Sequence, residues 1–247
     1  MNIPSDVKQQ LILYAQQYET AAFLNGDPSW FMHQVEGREN REVTAFIASA
    51  LSYGSRKQFM PKIEFLLHSS GGDMYGWVRD RRFESVIQAG DKSCYYRLYT
   101  NDDMHRFLTS CSRMLNEWGS LGEYVRANAS DGFGAIDCLC RYFAANGSGG
   151  IVPKDTVSCC KRVAMFLRWM VRTGSPVDLG LWTFISPATL VMPLDTHVLQ
   201  EAQSLGLISS RTASMQAAKR LTAVVAQVFP DDQLKADFAL FGYGVNH

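Results

Sequence analysis

Apolar residues recur along this chain at intervals of three and four, the period of a helix with one buried face. Val7, Leu11, Tyr14 and Tyr18 form a first stripe, with Ser5 as its expected cap and Asn25-Gly26-Asp27-Pro28 as its stop. A second stripe, Val43, Phe46, Ile47, Ala50 and Leu51, lies within residues 39–53, and Gly54 ends it. Phe59, Ile63, Leu66 and Leu67 carry a third toward Gly71-Gly72. Short helices are expected over 74–82 and 83–88, and an aromatic extended piece over 94–99. Asp102 or Asp103 then opens a long helix through Trp118, with further helices near 121–125 and 133–145. Residues 146–150, Asn-Gly-Ser-Gly-Gly, read as a flexible turn; they lack the lysine and hydroxyl spacing of a phosphate-binding loop. Past residue 172 come a helical turn over 178–184, a helix capped by Ser210 and a last helix opened by Pro230-Asp231-Asp232.

No convincing strand pair, internal repeat or Pro/Ser-rich linker interrupts this pattern. The class is therefore all-α: one compact unit over residues 1–247, built as two helical lobes with a cleft between them. The first segment, through about residue 30, is expected to pack beside the C-terminal helices.

Two stretches carry more than periodicity. In Pro193–Leu207, PLDTHVLQEAQSLGL, Asp195 stands at a helix start, where its carboxylate can accept first-turn amides and meet the positive end of the helix dipole. Val198, Ala202 and Leu205 share a face, and Gly206 followed by Leu207 suits a left-handed C-terminal cap. A capped core helix accounts for all of this. In residues 155–172, DTVSCCKRVAMFLRWMVR, helical spacing gathers Cys159, Val163, Phe166, Leu167 and Met170 on one side. Lys161, Arg168 and Arg172 line the other, with Met165 among them and Arg162 and Trp169 flanking. A row of cations is ordinarily a solvated face. The aromatic and the thioether beside this one suit a cleft wall better.

Composition narrows the partners. Hydrophobic residues make 47% of the chain and charged ones 19%, and Lys+Arg and Asp+Glu are equal at 24 each. A neutral molecule is no general binder of nucleic acid, so any basic surface is local. The N-terminus reads as neither a signal nor a transit peptide, and no apolar run has the length of a membrane span. The six cysteines sit in apolar patterns and read as buried thiols of a reducing cytoplasm. Neither Cys138-x-Cys140 nor Cys159-Cys160 has zinc-site spacing, so no metal is expected. The chain is expected to be a cytoplasmic monomer with no cofactor and no membrane association.

Four segments, REVTAFIASALSYGSRKQ, CKRVAMFLRWMVR, SPATLVMPLDTH and KADFALFGYGV, resemble a bacterial family known as a domain of unknown function and considered related to the helix-hairpin-helix (HhH-GPD) DNA glycosylases. L-D-T-H-V followed by L-G-L is similar to the aspartate segment of the endonuclease III and MutY group, and AFIASALS to the helix ending L-S-x-Q there. The resemblance implies a DNA-glycosylase-like two-lobed helical fold and a base-excision activity with an added AP-lyase step. Lys161 would be the nucleophile and Asp195 the carboxylate that supports the sugar cation, 34 positions apart, which is nearest in spacing to the archaeal 8-oxoguanine glycosylases. An amine attacks only when unprotonated, and an apolar wall with neighbouring cations favours that form. Tyr53, Arg56, Arg162, Arg168, Trp169, Arg172 and His197 would contact the substrate, damaged or abasic DNA.

The chain departs from the glycosylase pattern in three places. The L-P-G-V-G phosphate-binding hairpin is missing, and no glutamine stands in L-S-Y-G to fill the space of a flipped base; Tyr53 and Arg56 are the residues available there. The four C-terminal cysteines of an iron–sulfur cluster are also missing, so no cluster is expected. A second reading keeps the scaffold without the chemistry: a helical binding protein whose arginines hold a phosphorylated ligand or a nucleic acid.

Overall fold

The computed structural model describes residues 2–246. Among them the helices are α1 (Ser5–Tyr18), α2 (Arg38–Leu51), α3 (Arg56–Ser69), α4 (Met74–Arg79), α5 (Asn101–Trp118), α6 (Leu121–Asn128), α7 (Gly132–Asn146), α8 (Lys161–Val171), α9 (Thr196–Ser204), α10 (Met215–Val225) and α11 (Lys235–Asn246). One small antiparallel pair, β1 (Cys94–Tyr96) and β2 (Tyr99–Thr100), stands where an extended piece was expected. The class is all-α. The chain divides into two compact units, one made of residues 1–25, 130–136 and 156–247, the other of residues 26–129 and 137–155.

In the first unit α1 packs against α11, and α11 against α9, as the pairing of the first segment with the C-terminal helices requires. Tyr14 stacks on Tyr243 with ring centroids 4.5 Å apart. Gly242 permits the approach, since a Cβ there would collide with the Tyr18 ring. Cys160 has a left-handed backbone, φ 46°, so α8 begins only at Lys161 and residues 155–160 are not helical. Cys159 therefore leaves the helical face assigned to it, and its thiol donates to the Leu194 carbonyl at 3.2 Å. Residues 178–184 form no helix either. Their amides close the end of α8 instead, Leu179 N–H on the Trp169 carbonyl (2.7 Å) and Trp182 N–H on that of Met170 (2.7 Å). A helix end needs such partners for its last carbonyls, and here another segment supplies them.

In the second unit Phe46, Phe107 and Phe143 meet at the centre, Phe46 and Phe143 stacked at 5.1 Å. Glu42, 2% exposed, accepts the Leu121 amide (2.9 Å) and the Gly122 amide (3.1 Å). A buried carboxylate from α2 thus satisfies the first turn of α6 at its positive end. Thr100, two residues ahead of Asp102 and three ahead of Asp103, the expected acidic caps, is the cap of α5. Its hydroxyl accepts the Asp103 amide while Asp103 reaches back to Thr100 N–H, a reciprocal capping box. Gly149, in the turn after α7, approaches Asp103 so closely that a Cβ would come within 2.7 Å of its carbonyl oxygen. Gly149 thus serves close packing, while Gly147 and Gly150 face open space and serve the turn through their positive φ.

Other caps also differ from expectation. Pro4, with no capping side chain, precedes α1, and Ser5 is its first helical residue. Ser214, four residues after Ser210, accepts the Ala217 amide and caps α10. The last helix starts at Lys235, whose amide donates to the Asp232 carbonyl. The thiols are less uniform than the apolar pattern suggests: Cys94 is exposed and Cys159 half-buried, the other four buried. No described helix is long and apolar enough to cross a membrane.

Candidate functional site

Asp195 caps α9 as its position predicts. Its Oδ1 accepts the Val198 amide at 2.9 Å, and its backbone is extended. At the other end Gly206 (φ 67°) donates to the Gln203 carbonyl at 3.0 Å and Leu207 to that of Ala202 at 2.8 Å, the paired closure of a left-handed cap. α9 is thereby held at both ends, which fixes where the second carboxylate oxygen points.

That oxygen, Oδ2, lies 3.0 Å from Lys161 Nζ at the head of α8. The side chains are 31% exposed for Lys161 and 13% for Asp195, so the pair is half-sheltered and reachable from solvent. Phe241 of α11 closes one side, its ring centroid 6.0 Å from Nζ, and exposed His197 stands edge-on to the same ring at 6.4 Å. Asp237, one helical turn before Phe241, is buried beneath. Burial pushes its carboxyl above the ordinary value, Arg168 pulls the other way, Asp195 adds to the rise and Lys161 opposes it. A cation, two carboxylates and an aromatic face are thus in electrostatic contact.

The rest of the predicted cationic row is elsewhere. Arg168 is 3% exposed and Arg172 1%. Arg168 Nε contacts Asp178 at 3.2 Å and its Nη1 meets Asp237. Arg172 binds Asp232 through Nε at 2.8 Å, Glu19 through Nη2 at 2.7 Å, and Asp178 through Nη1. The ring of Phe238 lies against both guanidiniums, 4.3 Å from Arg168 Cζ and 5.2 Å from Arg172 Cζ. Burial alone would lower the Arg172 pKa, but Asp232, Asp178 and Glu19 outweigh it and hold the guanidinium charged. At Asp178 burial pushes the carboxyl above its ordinary value, and the guanidiniums of Arg168 and Arg172 oppose that rise.

This corrects the expected phosphate-binding wall: the side of α8 that carries Arg168 and Arg172 is an internal ion-pair network, closed to a ligand in solvent. Trp169, expected beside them, is fully buried. Only Lys161, Arg162 and Met165 on α8 keep partial exposure.

Tyr53 and Arg56 belong to the second unit. Tyr53 is exposed and carries the Arg97 guanidinium over its ring at 4.9 Å; Arg56 pairs with Asp27 at 3.5 Å. Asp178, Asp237 and Phe241 were missed as companions of the α8 residues. Their signal was faint but present: Asp237 and Phe241 are spaced i, i+4 and share a helix face. Among the described residues no group of three or more His, Cys, Asp or Glu could hold a metal ion.

The family model described as "Protein of unknown function (DUF2400)" matches residues 27–246. No curated protein and no solved structure matches the chain.

Proposed function

The chain belongs to the DUF2400 family, and from that premise we propose that it is a base-excision DNA glycosylase with AP-lyase activity on a helical fold related to the helix-hairpin-helix glycosylases. The observation that supports this reading is the ion pair between Lys161 Nζ and Asp195 Oδ2 at 3.0 Å. Both residues stand at the heads of helices, which gives nucleophile and carboxylate fixed positions on rigid elements.

In the proposed reaction the Lys161 ammonium passes a proton to Asp195, and the freed amine attacks C1′ of an extruded nucleotide. A C1′–N bond to the lysine forms as the glycosidic bond breaks, and its electron pair leaves with the base. The base takes up the proton from Asp195, so the carboxylate is regenerated while positive charge is greatest on the sugar. The secondary amine then loses its proton, the sugar ring opens, and an imine links Lys161 to the strand. Phe241 lies beside the lysine and His197 against the Phe241 ring, and in this reading the two border the sugar or base.

The alternative of a phosphate-holding protein drew on Arg168 and Arg172 along a cleft. With both guanidiniums spent on internal carboxylates, the catalytic pair is the better supported reading. Release of a free base from duplexes carrying single lesions tests it. Release by the wild type and none by Lys161→Gln or Asp195→Asn is expected; no release across a broad lesion panel would remove the enzyme reading.

A further inference from the structure

The hairpin of β1 and β2, within the second unit, carries an apolar tip. Tyr96 pairs with Tyr99, which leaves Arg97 and Leu98 as the two turn residues. Leu98 is 81% exposed. A single exposed leucine means little by itself, but this one stands beside a second unusual residue. Arg97 has a left-handed backbone, φ 53°, at a turn position that glycine ordinarily fills. Its side chain covers the ring of exposed Tyr53, with Cζ 4.9 Å from the centroid. Gly54 leaves the space, since a Cβ there would meet Arg97 Nη1 at 2.2 Å.

This face is anchored from beneath. Tyr95 and Tyr96 are buried; the Tyr95 hydroxyl donates to the Lys62 carbonyl at 3.0 Å and that of Tyr96 to the Tyr53 carbonyl. The hairpin is thereby tied to α3 and to the loop before it. A surface fixed in this way loses little freedom when something binds to it.

Its charge is one-sided. Residues 52–63 carry Arg56, Lys57 and Lys62 and no carboxylate, and residues 93–100 carry Arg97 and none. Asp27 pairs with Arg56 at 3.5 Å, and Glu64 follows on α3, so four cations meet two carboxylates in a molecule of zero net charge. Lys92 and Asp102 pair with each other at the base of the hairpin, and Asp91 accepts from Ser93 and Asn101 there.

An apolar tip, a guanidinium lying on an aromatic ring and a local excess of cations suit a partner that offers flat apolar faces joined by negative charges. Nucleic-acid bases have such faces, and they are open only where the strand is unpaired. Four cations are also few for a grip on duplex phosphates alone. We propose that this face binds single-stranded nucleic acid, with unpaired bases packed on Leu98 and on the Arg97–Tyr53 stack and their phosphates beside the cations around it. The proposal concerns the second unit alone and holds whether or not Lys161 and Asp195 excise a base.

Fluorescence anisotropy of end-labelled thymidine and uridine strands of about twelve bases, titrated with the full chain, tests it. Saturable binding of at least one strand is expected, at least about tenfold tighter than a duplex of the same length. Log affinity should fall with log salt at a slope no steeper than about −3, four phosphate contacts at roughly 0.7 each. Leu98→Ser, at an exposed tip, should weaken binding about tenfold and leave that slope unchanged. Arg97→Gly should leave thermal stability equal or higher, because glycine adopts that backbone freely, yet weaken binding and flatten the slope. Lys161→Gln should bind as the wild type does. No binding of either strand, a duplex bound as tightly, displacement by a short glutamate oligomer at equal concentration, or binding indifferent to both Leu98→Ser and Arg97→Gly would each overturn the assignment.

Discussion

Lys161 Nζ stands 3.0 Å from Asp195 Oδ2, while Oδ1 of the same carboxylate accepts the Val198 amide at 2.9 Å. One side chain therefore does two jobs, capping a helix and holding a lysine, and substitutions can separate them. Asparagine caps almost as well as aspartate, so Asp195→Asn should lose only the half-exposed ion pair, on the order of 1 kcal/mol or less. Asp195→Ala loses the cap too, and about 1 kcal/mol more should appear in urea denaturation. Equal stability losses for Asn and Ala would show that the cap contributes nothing.

The buried network predicts a larger effect. Arg172 faces Asp178, Asp232 and Glu19, and Asp178 has no exposed side-chain surface. Removing the guanidinium leaves carboxylates uncompensated in the interior, so Arg172→Ala should cost about 3–5 kcal/mol. Arg172→Lys should recover only part of this, because an ammonium cannot bridge three carboxylates as a planar fork does. Denaturation midpoints of the two variants check the order. A silent Arg172→Ala would mean that the network is dispensable.

That network also marks where reading the sequence stops. Helical spacing put Lys161, Arg168 and Arg172 on one side of α8, because periodicity within an element is local information. What covers that side is not local. Asp178, Asp232 and Asp237 arrive from later segments, Glu19 from just past the first helix, and together they turn an expected wall into core. The pairing of Lys161 with Asp195 was legible because a resemblance supplied both residues, and the cap of α9 because Asp195 and Gly206 each follow from backbone rules. The start of α8 was not. The left-handed Cys160 that delays it carries a side chain that rarely adopts φ 46°, and no residue-type rule points there. Caps at Thr100 and Ser214 were placed wrongly because several Ser, Thr and Asp residues competed within a few positions.

Thiol reactivity should follow burial. Cys94 is exposed on β1, Cys159 is half-buried, and burial pushes the Cys159 thiol up and that of Cys138 up to about 12. Since the thiolate is the reactive form, native protein titrated with a disulfide reagent near neutral pH should show one fast thiol, removed by Cys94→Ser. Cys159 should follow slowly, and the remaining four only on unfolding. Several fast thiols in native protein would contradict the packing around α5, α7 and α8.

Acid should loosen the start of α5. Asp102 is held below its ordinary value by Lys92 and the Gly90 amide, and Asp91 by Ser93 and Asn101. At Asp103 burial acts upward, but Thr100 and Arg106 outweigh it, and the net shift is also downward. Depressed folded-state values mean that these carboxylates stabilise the fold at and above the ordinary carboxylate pKa, and that this is lost as pH falls through the lowered values. Amide exchange in residues 90–106 should thus accelerate below about pH 4, the unperturbed range. Asp102→Asn should flatten that dependence. Exchange that speeds up instead on raising the pH from 4 to 7, beyond the intrinsic base-catalysed rate, would reverse the sign and refute the assignment.

The last prediction concerns Lys161 as nucleophile. Attack on C1′ gives an imine, and borohydride should reduce it to a permanent bond between protein and strand. Oligonucleotides with an abasic site, 8-oxoguanine or an oxidised pyrimidine would be offered separately, because the target base is unspecified. Trapped product should disappear in Lys161→Gln, which keeps length and hydrogen bonding but removes the amine. Lys57→Gln and Lys154→Gln keep Lys161 and should trap as the wild type does. Asp195→Asn can neither take the lysine proton nor return it to the base, so it should trap poorly from an intact damaged nucleotide and lose less from an abasic site, where no base has to be expelled. Many surface amines react slowly with abasic sugars, so the decisive comparison uses a lesion that still carries its base. Trapping from such a lesion that survives Lys161→Gln would move the nucleophile to another residue and leave the 3.0 Å pair with a structural role alone.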